Sequence, residues 1–389
     1  MGRARCYHLA VAKGHTALNR IQQRESAAQR THAGRTRARR WLFAVLAVIC
    51  IMGASASLAA PELRPAGLPP AVALELAADA VADLPRAHSL LVSRRGELLL
   101  ERYYNGVRPA RLANIKSASK SIISALVGIA VDRGLIANMK QPVYSFFPDL
   151  LGNGADARKR EITIEDLLTM RSGLETTSNR NYGAWVQSSN WVRHALNRPL
   201  VNPPGATMEY STGSTHLLSA ILTKATGKST WLFAQENLAQ PLGFQLAQWP
   251  RDPQGIYFGG NDMLMTPRQM LAFGELYLHQ GRRNGQQIVP QDWVAASQIP
   301  RTQSRRESDR FYGYGWWVRE LAGHPAYYAW GYGGQYIFIV PDLDLVVVTT
   351  SSSTAGEERR DHRRTVYEIV EHFIIAPLAS AATQTSSVN

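Results

Sequence analysis

Short apolar segments broken by turn residues occur near both ends of the chain, whereas its middle follows helical spacing. The segments 89–92 and 97–104 flank a turn at Arg94-Arg95-Gly96, which predicts an antiparallel hairpin. Four further strands are predicted late in the chain, at 312–319, 327–332, 335–340 and 345–350. A helix with a mixed charged face is predicted after them, over 357–374.

The remaining helices are predicted at 71–83, 165–170, 215–226, 230–238 and 268–278. This order predicts an α/β fold class, in which an antiparallel sheet flanked by helices is built from both chain ends. A mostly helical domain would be inserted between the two ends. The predicted parts are a signal peptide or N-terminal anchor (1–59), a linker (60–70), an α/β domain (71–134 and 305–378), a helical domain (135–304) and a tail (379–389).

The most apolar helix predicted downstream of residue 60 runs from Ser117 to Arg133, with Gly134 as a natural C-terminal stop. Apolar residues occupy nearly all of its faces, so we expect it to be central and buried. It would lie where the α/β domain meets the helical domain, a place where pockets often form.

Most of the net charge of +13 belongs to the first 59 residues. A basic stretch up to Arg39-Arg40 is followed by an apolar run from Trp41 to Met52 and then by small residues, as in a secretory signal. Ser57-Leu58-Ala59 is the best cleavage candidate. We therefore expect a periplasmic or secreted protein. The alternative is an uncleaved segment, 41–60, that anchors the chain in the inner membrane.

The only cysteines, Cys6 and Cys50, lie in the same N-terminal segment. No disulfide, thiol nucleophile or cysteine metal site is therefore expected downstream of it. The histidines are scattered and lack the H-E-x-x-H spacing of a metal site. We expect no cofactor, no metal and no nucleic-acid partner, because the basic charge is explained by the signal.

A candidate catalytic pair, Ser117 and Lys120, lies at the start of the buried helix. Residues three apart share one helical face, so the amine can reach the hydroxyl and, when neutral, remove its proton. About one S-x-x-K sequence is expected by chance in a chain this long, so the pair alone is weak evidence. Burial would lower the lysine pKa from its usual value of about 10.4.

Two other segments could complete a site for acyl chemistry. Tyr210 lies between the turn at 202–205 and a helix, where it offers a second proton carrier; a packed core tyrosine is the alternative. The N–H of Ser117, at a helix N-terminus, would stabilise an oxyanion. A second donor would come from the glycine-rich strand edge at 330–335, which is otherwise an ordinary hairpin turn.

These three motifs, in this order, resemble those of the serine β-lactamase and penicillin-binding-protein superfamily. Further blocks are similar to that family, at 167–174, 204–211, 241–243 and 259–278. The resemblance extends over about 75–375. Gly-Tyr-Gly-Gly-Gln at 331–335 is most similar to the 6-aminohexanoate-dimer hydrolases and family VIII-type esterases.

The resemblance implies that Ser117 is the acylated nucleophile and that Lys120 takes its proton. Tyr210 matches the family tyrosine, which would share the base role and protonate the leaving group. The backbone N–H groups of Ser117 and Tyr332 would stabilise the oxyanion.

Two departures from the family pattern bear on the substrate. Thr212 stands at an asparagine position, and no lysine or histidine occupies the third motif, so an ester or small amide is favoured over a β-lactam. The resemblance places Thr212, Trp330 and Gly333 in the substrate pocket. Tyr182 and Trp185 are interpreted as a pocket wall or lid, with packing inside the helical domain as the alternative.

The sequence therefore predicts an exported serine hydrolase that cleaves a small-molecule ester or amide through an acyl-serine intermediate. A β-lactamase or a D-Ala-D-Ala carboxypeptidase is the alternative within the same family. A non-catalytic binding protein on the same fold is the alternative from another class. Membrane contact is expected only through the N-terminal segment, and the sequence does not indicate an oligomeric state.

Overall fold

The computed structural model describes residues 67–150, 156–356 and 359–386. The predicted signal or anchor, its cleavage site and both cysteines lie outside the described residues. The chain forms two compact units, 84–371 and a smaller unit that includes the described residues 67–83 and 372–386. No helix in the described part of the chain combines the length and apolar character needed to cross a membrane.

Each predicted helix corresponds to an α-helix of the described residues, with boundaries that differ by a few residues. The helices at 182–186, 191–196, 291–298 and 376–386 are additional to the predicted ones. In chain order the α-helices are α1 (Pro70–Ala82), α2 (Ser119–Asp132), α3 (Ile164–Leu168), α4 (Tyr182–Val186), α5 (Trp191–Leu196), α6 (Thr212–Thr226), α7 (Thr230–Ala234), α8 (Pro267–Leu278), α9 (Gln291–Gln298), α10 (Arg359–Ile369) and α11 (Ala376–Ser386). In the smaller unit α1 contacts α11, so helical structure continues into the segment predicted as a tail.

The strands come from the two stretches that the sequence predicts and from short additions between them. In chain order they are β1 (Ala87–Arg94), β2 (Glu97–Tyr103), β3 (Ala113–Asn114), β4 (Leu264–Met265), β5 (Arg282–Arg283), β6 (Gln286–Gln287), β7 (Thr302–Gln303), β8 (Phe311–Tyr312), β9 (Trp317–Leu321), β10 (His324–Gly331), β11 (Gln335–Val340) and β12 (Leu345–Ser351).

Eight of these strands form one antiparallel sheet in the order β2-β1-β12-β11-β10-β9-β8-β7. The hairpin from the N-terminal part therefore pairs directly with the last strand of the chain, through β1 and β12. Helix α8 packs on this central part of the sheet. The prediction of an antiparallel sheet flanked by helices and built from both chain ends is confirmed.

The predicted strand 312–319 is wrong in one respect, because the chain leaves the ladder between β8 and β9. Gly315 has φ +79°, a conformation that ends an extended strand and favours glycine. The loop so formed packs on α2, where the hydroxyls of Ser121 and Ser124 donate to the carbonyls of Gly315 and Tyr314 at 2.7 Å each. These bonds satisfy the two serine hydroxyls in the middle of the buried helix.

Helix α2 is the most enclosed helix of the larger unit, as its sequence predicts. All side chains from Ser119 to Ala130 are buried, and α2 packs against α6, α9 and β10. Because α2 is held on several sides, the residues at its N-terminal end have a rigid support. That end is where the predicted nucleophile lies.

Candidate active site

Ser117 lies in a short 3-10 turn, Lys116–Ala118, directly before α2. The preceding residue, Lys116, has φ +51°, which is uncommon for a residue with a side chain. Polar contacts hold it there: its Nζ pairs with Asp262 Oδ1 at 2.6 Å and its N–H donates to Asn114 Oδ1 at 3.1 Å. Ser117 is thus presented, partly exposed, at the start of a buried helix.

Lys120 lies one helical turn after Ser117 and is only 1 % exposed. Its Nζ donates to Ser117 Oγ at 3.0 Å and to the Gly260 carbonyl oxygen at 2.5 Å. Burial lowers the pKa of Lys120 to about 7, against a smaller opposing effect of the Asp262 carboxylate. A substantial fraction of Lys120 is therefore uncharged at neutral pH and able to accept the Ser117 proton.

Tyr210 lies on the loop that leads into α6. Its ring stacks on Trp317 with centroids 5.7 Å apart, and Lys120 Nζ lies 5.2 Å from the centre of the ring. Burial raises the pKa of Tyr210 to about 12, although hydrogen bonding with Ser117 acts in the opposite direction. The phenol is therefore protonated at neutral pH, which suits a proton donor better than a base.

Thr212 is buried at the first position of α6, where a neighbouring loop caps the helix. The Thr212 N–H donates to Ser178 Oγ at 2.9 Å, and the two side-chain hydroxyls are also 2.9 Å apart. Thr176 Oγ1 donates to the Tyr210 carbonyl oxygen at 2.7 Å. These hydroxyls fix the loop that carries Tyr210, since the N-cap residue of α6 makes no side-chain cap of its own.

Strand β10 ends beside the segment that presents Ser117. A Cβ at Gly331 would come within 2.1 Å of the Ile115 carbonyl oxygen, so only glycine allows this close approach. Tyr332 follows immediately, and its side chain is exposed. The Tyr332 backbone therefore lies next to the nucleophile segment, and its part as an oxyanion donor stays a prediction.

The two aromatic residues predicted as a pocket wall differ in their surroundings. Trp185 has no exposed surface, and its Nε1 donates to the Trp191 carbonyl oxygen at 3.0 Å. The interpretation of Trp185 as a wall residue is therefore wrong, because it belongs to the hydrophobic core. Tyr182 is partly exposed, and its hydroxyl accepts a 2.9 Å hydrogen bond from Asn261, the neighbour of Gly260.

Trp330 and Gly333 lie on either side of Tyr332 and Gly331. The Trp330 ring is partly exposed, with the guanidinium carbons of Arg310 and Arg363 at 5.7 and 4.9 Å from its centre. Gly333 is packed on the chain beyond β12, since an added Cβ would lie 2.5 Å from the Ser352 carbonyl oxygen. Contact of Trp330 and Gly333 with a substrate stays a prediction.

Sequence reasoning missed the loop 260–262, which holds several parts of the site together. Its carbonyl at Gly260 bonds Lys120, and its Asp262 bonds both Lys116 and, at 2.8 Å, Asn114 Nδ2. The one available signal was the Gly259-Gly260 pair where this loop begins, which belongs to a block similar to the family. That signal could not assign a partner to Asp262, because the partners are distant in sequence.

A buried pair, His216 and Asp252, supports the same loop from below. The His216 Nε2 lies 3.0 Å from Asp252 Oδ2, and the Gly259 N–H donates to His216 Nδ1 at 3.4 Å. The described residues contain no group of three or more His, Cys, Asp or Glu side chains placed to hold a metal ion. His216 is therefore a core histidine with both ring nitrogens in use.

Comparison with known proteins adds to this geometry. Residues 79–371 match the Beta-lactamase family. The chain is 25 % identical over 364 residues to a 6-aminohexanoate-dimer hydrolase of Paenarthrobacter ureafaciens. This match covers 83 % of this chain and 88 % of that protein. It is 28 % identical over 177 residues to Esterase EstB of Burkholderia gladioli, which covers 40 % of this chain and 45 % of the esterase.

Among solved structures, EstCE1, a hydrolase with promiscuous acyltransferase activity, matches with a TM-score of 0.65 and 18 % identity. The match covers 79 % of this chain and 99 % of EstCE1, and at this identity it shows a shared fold. The sequence relatives, a hydrolase and an esterase, support a serine hydrolase. With most of its length matched by one family, the chain belongs to the Beta-lactamase family.

Proposed function

We propose that the chain is a serine hydrolase that cleaves an ester or a small amide through an acyl-serine intermediate. The observation that carries this proposal is the 3.0 Å contact between buried Lys120 Nζ and the partly exposed Ser117 Oγ. Burial brings the pKa of Lys120 to about 7, so a base is available beside the hydroxyl at neutral pH.

In the acylation step, Ser117 Oγ attacks the substrate carbonyl carbon while its proton passes to Lys120. The backbone N–H groups of Ser117 and Tyr332 stabilise the negative oxygen of the tetrahedral intermediate. The bond to the leaving group then breaks, and Tyr210 donates the proton that this alcohol or amine needs. Tyr210 recovers a proton from Lys120, which leaves the base neutral again.

In the deacylation step, water attacks the acyl carbon and gives a proton to Lys120. Ser117 Oγ leaves as the product acid forms, and it takes the proton back. Protons balance over the cycle, so no cofactor is required.

The preference for an ester or small amide over a β-lactam is proposed from two positions. Thr212 stands where the family has asparagine, and residues 329–334 contain no lysine or histidine to attract a substrate carboxylate. The names of the two sequence relatives, a 6-aminohexanoate-dimer hydrolase and an esterase, agree with this preference.

Parallel assays of the purified protein test the substrate class. The substrates are p-nitrophenyl butyrate, a 6-aminohexanoate dimer, a chromogenic cephalosporin and a D-Ala-D-Ala peptide. We expect turnover of the ester or the amide that is lost in Ser117→Ala. Rapid cephalosporin turnover without ester or amide activity would overturn the proposed substrate class.

The alternative from another class, a non-catalytic binding protein, makes a different prediction for a fluorophosphonate probe. A catalytic Ser117 reacts covalently with the probe in the folded protein and not after heat denaturation. The absence of any adduct on Ser117 in folded protein would favour the binding protein.

Export is proposed from the basic, apolar and small-residue order of residues 1–60. Fractionation of cells that express the full chain should find it in the periplasm or medium, with a mature N-terminus after Ala59. An intact N-terminus in the membrane fraction would favour the anchor, and recovery in the cytoplasm would contradict export.

A further inference from the structure

Gln335, the first residue of β11, is a polar side chain with no exposed surface, directly after the turn 332–334. Its Nε2 donates to the Ser351 carbonyl oxygen at 2.7 Å, and its Oε1 accepts from the Ser351 N–H at 3.1 Å. A side-chain amide offers the same donor and acceptor as a peptide group. Gln335 therefore replaces one backbone rung of the sheet.

The register of the strands explains why a replacement is needed there. β11 and β12 pair from Val340 opposite Leu345 as far as Tyr336 opposite Thr349. If the ladder continued, Gly334 would face Ser351, but the chain has turned away toward β10. Each backbone group of Ser351 left without a partner would cost roughly 1–3 kcal/mol. The Gln335 amide satisfies both of them and so lets the turn leave β12.

The same amide also touches the turn itself. Gln335 Nε2 lies 3.4 Å from the Tyr332 carbonyl oxygen. At the end of the turn, the Gly334 carbonyl oxygen accepts a hydrogen bond from Thr349 Oγ1 at 3.0 Å. The far side of the Tyr332 residue is fixed as well, because Gly331 lies against the Ile115 carbonyl oxygen. The turn is therefore held at Gly331, Tyr332 and Gly334.

We infer that Gln335, with Thr349 as a second support, is a positioning residue for the oxyanion donor of Tyr332. Neither side chain is placed to touch the substrate: both are buried behind the turn. Their role is to hold the peptide unit between Gly331 and Tyr332 at a fixed distance from Ser117. This inference rests on the proposed function, in which the Tyr332 N–H stabilises the oxyanion.

The inference predicts which kinetic constant changes. An oxyanion donor must lie about 2.7–3.1 Å from the oxyanion, and its outright removal costs about 10²–10³ in kcat. Displacing the donor should cost less than removing it. Because the ground-state substrate does not use this interaction fully, KM should change little.

The test compares Gln335→Leu and Thr349→Val with the wild-type protein. Valine suits a strand and has the shape of threonine, so this second variant should fold even if the first does not. Asn237→Leu is the matched control, since it removes another buried amide, one that donates to the Phe233 carbonyl oxygen at 2.8 Å. Thermal melts establish that each variant is folded.

Two measurements are made on each variant: the kinetics of p-nitrophenyl butyrate hydrolysis and the affinity for an alkyl boronic acid. The boronic acid forms a tetrahedral adduct on serine and therefore reports the oxyanion site. We expect kcat to fall about 10- to 100-fold in Gln335→Leu and about 3- to 10-fold in Thr349→Val, with KM within about twofold. Boronate affinity should fall in parallel, and the control should match the wild type.

Wild-type kcat and boronate affinity in folded Gln335→Leu, or in Thr349→Val if the first variant does not fold, would overturn the inference. An equal loss in the Asn237→Leu control would also overturn it, because the effect would then be general destabilisation. If Ser117→Ala turns over the substrate as fast as the wild-type protein, the proposed function fails and the inference fails with it. Ser117-dependent turnover with unaffected Gln335→Leu overturns the inference alone.

Discussion

Two serines among the described residues of the larger unit lie next to a buried nitrogen base, yet only one of them has the surroundings of a nucleophile. Ser117 Oγ is 3.0 Å from Lys120 Nζ, and Ser351 Oγ is 2.9 Å from His362 Nε2. Burial lowers the pKa of both bases, that of Lys120 to about 7 and that of His362 to about 4.

The two serines differ in access and in their backbone. Ser117 is partly exposed, follows a left-handed residue and starts a helix, so a carbonyl substrate can meet both its hydroxyl and its N–H. Ser351 is 4 % exposed, lies within β12, and has its backbone N–H and carbonyl bonded by Gln335.

The bases differ too. A base with a pKa near 7 is poised for proton transfer at neutral pH, whereas one near 4 is a weak proton acceptor. A hydroxyl beside a nitrogen base occurs at two places among the described residues, so this contact alone does not identify a nucleophile. Access, oxyanion donors and a matched pKa distinguish the catalytic pair from the structural one.

The largest expected effect separates the two serines directly. Ser117→Ala should lower kcat/KM for p-nitrophenyl butyrate by roughly 10⁴-fold or more, since it removes the nucleophile. Ser351→Ala should lower it less than tenfold, because that hydroxyl only contacts His362 and the turn before β11. Steady-state kinetics of both folded variants check this, and similar losses in the two would refute the comparison.

Lys120→Met should lower kcat/KM by about 10²–10⁴, the usual contribution of a general base. The matched control is Lys159→Met, which removes another buried lysine, whose Nζ donates to the Leu196 carbonyl oxygen at 3.1 Å. The control should keep wild-type activity. A Lys120→Met variant that acylates at the wild-type rate in stopped-flow measurements would contradict the assignment of Lys120 as the base.

The same variant should be more stable than the wild type. The pKa of Lys120 is lower in the folded chain than in the unfolded chain, so unfolding takes up a proton between about pH 7 and the unfolded value of about 10.4. Lys120 therefore destabilises the fold at neutral pH, by an amount that shrinks as pH rises. We expect the free energy of unfolding of Lys120→Met at pH 7 to be about 1–2 kcal/mol higher than that of the wild type in urea melts. This net figure allows for the loss of the hydrogen bonds of Lys120.

Tyr210→Phe sharpens the division of labour between base and proton donor. The ring keeps its stack on Trp317, but the donor for the leaving group is lost. Because p-nitrophenolate leaves without a proton, hydrolysis of an alkyl ester or amide should fall about 10²-fold more than that of the p-nitrophenyl ester. Tyr312→Phe, at the neighbouring ring, should show no such difference, and equal losses for both substrates would argue against Tyr210 as donor.

The pH profile tests the electrostatics of Lys120. Activity should rise through about pH 7, as Lys120 loses its proton, and then level off. The Asp262 carboxylate favours the charged lysine, so Asp262→Asn should move this rise to lower pH. Activity at pH 6 should then be a few-fold higher in the variant than in the wild type. Asp342→Asn, which removes a surface carboxylate, should leave the profile in place. A shift to higher pH in Asp262→Asn would contradict the account.

The smallest effect concerns the structural pair. Burial, with Arg86 and His88 nearby, lowers the pKa of His362 to about 4, below the unfolded value of about 6.5. The unfolded chain therefore binds more protons between these two values, and stability is lost as pH falls through that window. When pH falls from 6.5 to 4, the free energy of unfolding of His362→Gln should decrease by about 1–2 kcal/mol less than that of the wild type, as measured in denaturant melts. Equal losses would show that His362 does not titrate there.

The sheet could be predicted from the sequence because its strands are short apolar runs bounded by glycine and proline. The break between β8 and β9 could not, since it depends on the conformation of Gly315 and on hydroxyls of α2 that bond it. In the same way, aromatic residues at 182–191 could be located, but their burial could not. Whether Trp185 faces a pocket or the core depends on packing by residues distant in sequence.

The parts of the site that lie in local motifs could be predicted, and the parts that support them could not. Ser117 and Lys120 share one helical turn, so their contact follows from spacing alone. Asp262 and Gln335 act through partners on other elements, and no local pattern points to those partners. The structure was needed to show what holds the nucleophile and the turn beside it.

The most direct test of the central claim is to trap the acyl-enzyme and locate it by mass spectrometry. Folded protein is quenched in acid during turnover of p-nitrophenyl butyrate, digested and mapped. We expect a butyryl adduct on Ser117 that is absent in Ser117→Ala, and no adduct on Ser351. Turnover with no adduct on Ser117, or with an adduct on another residue, would contradict it.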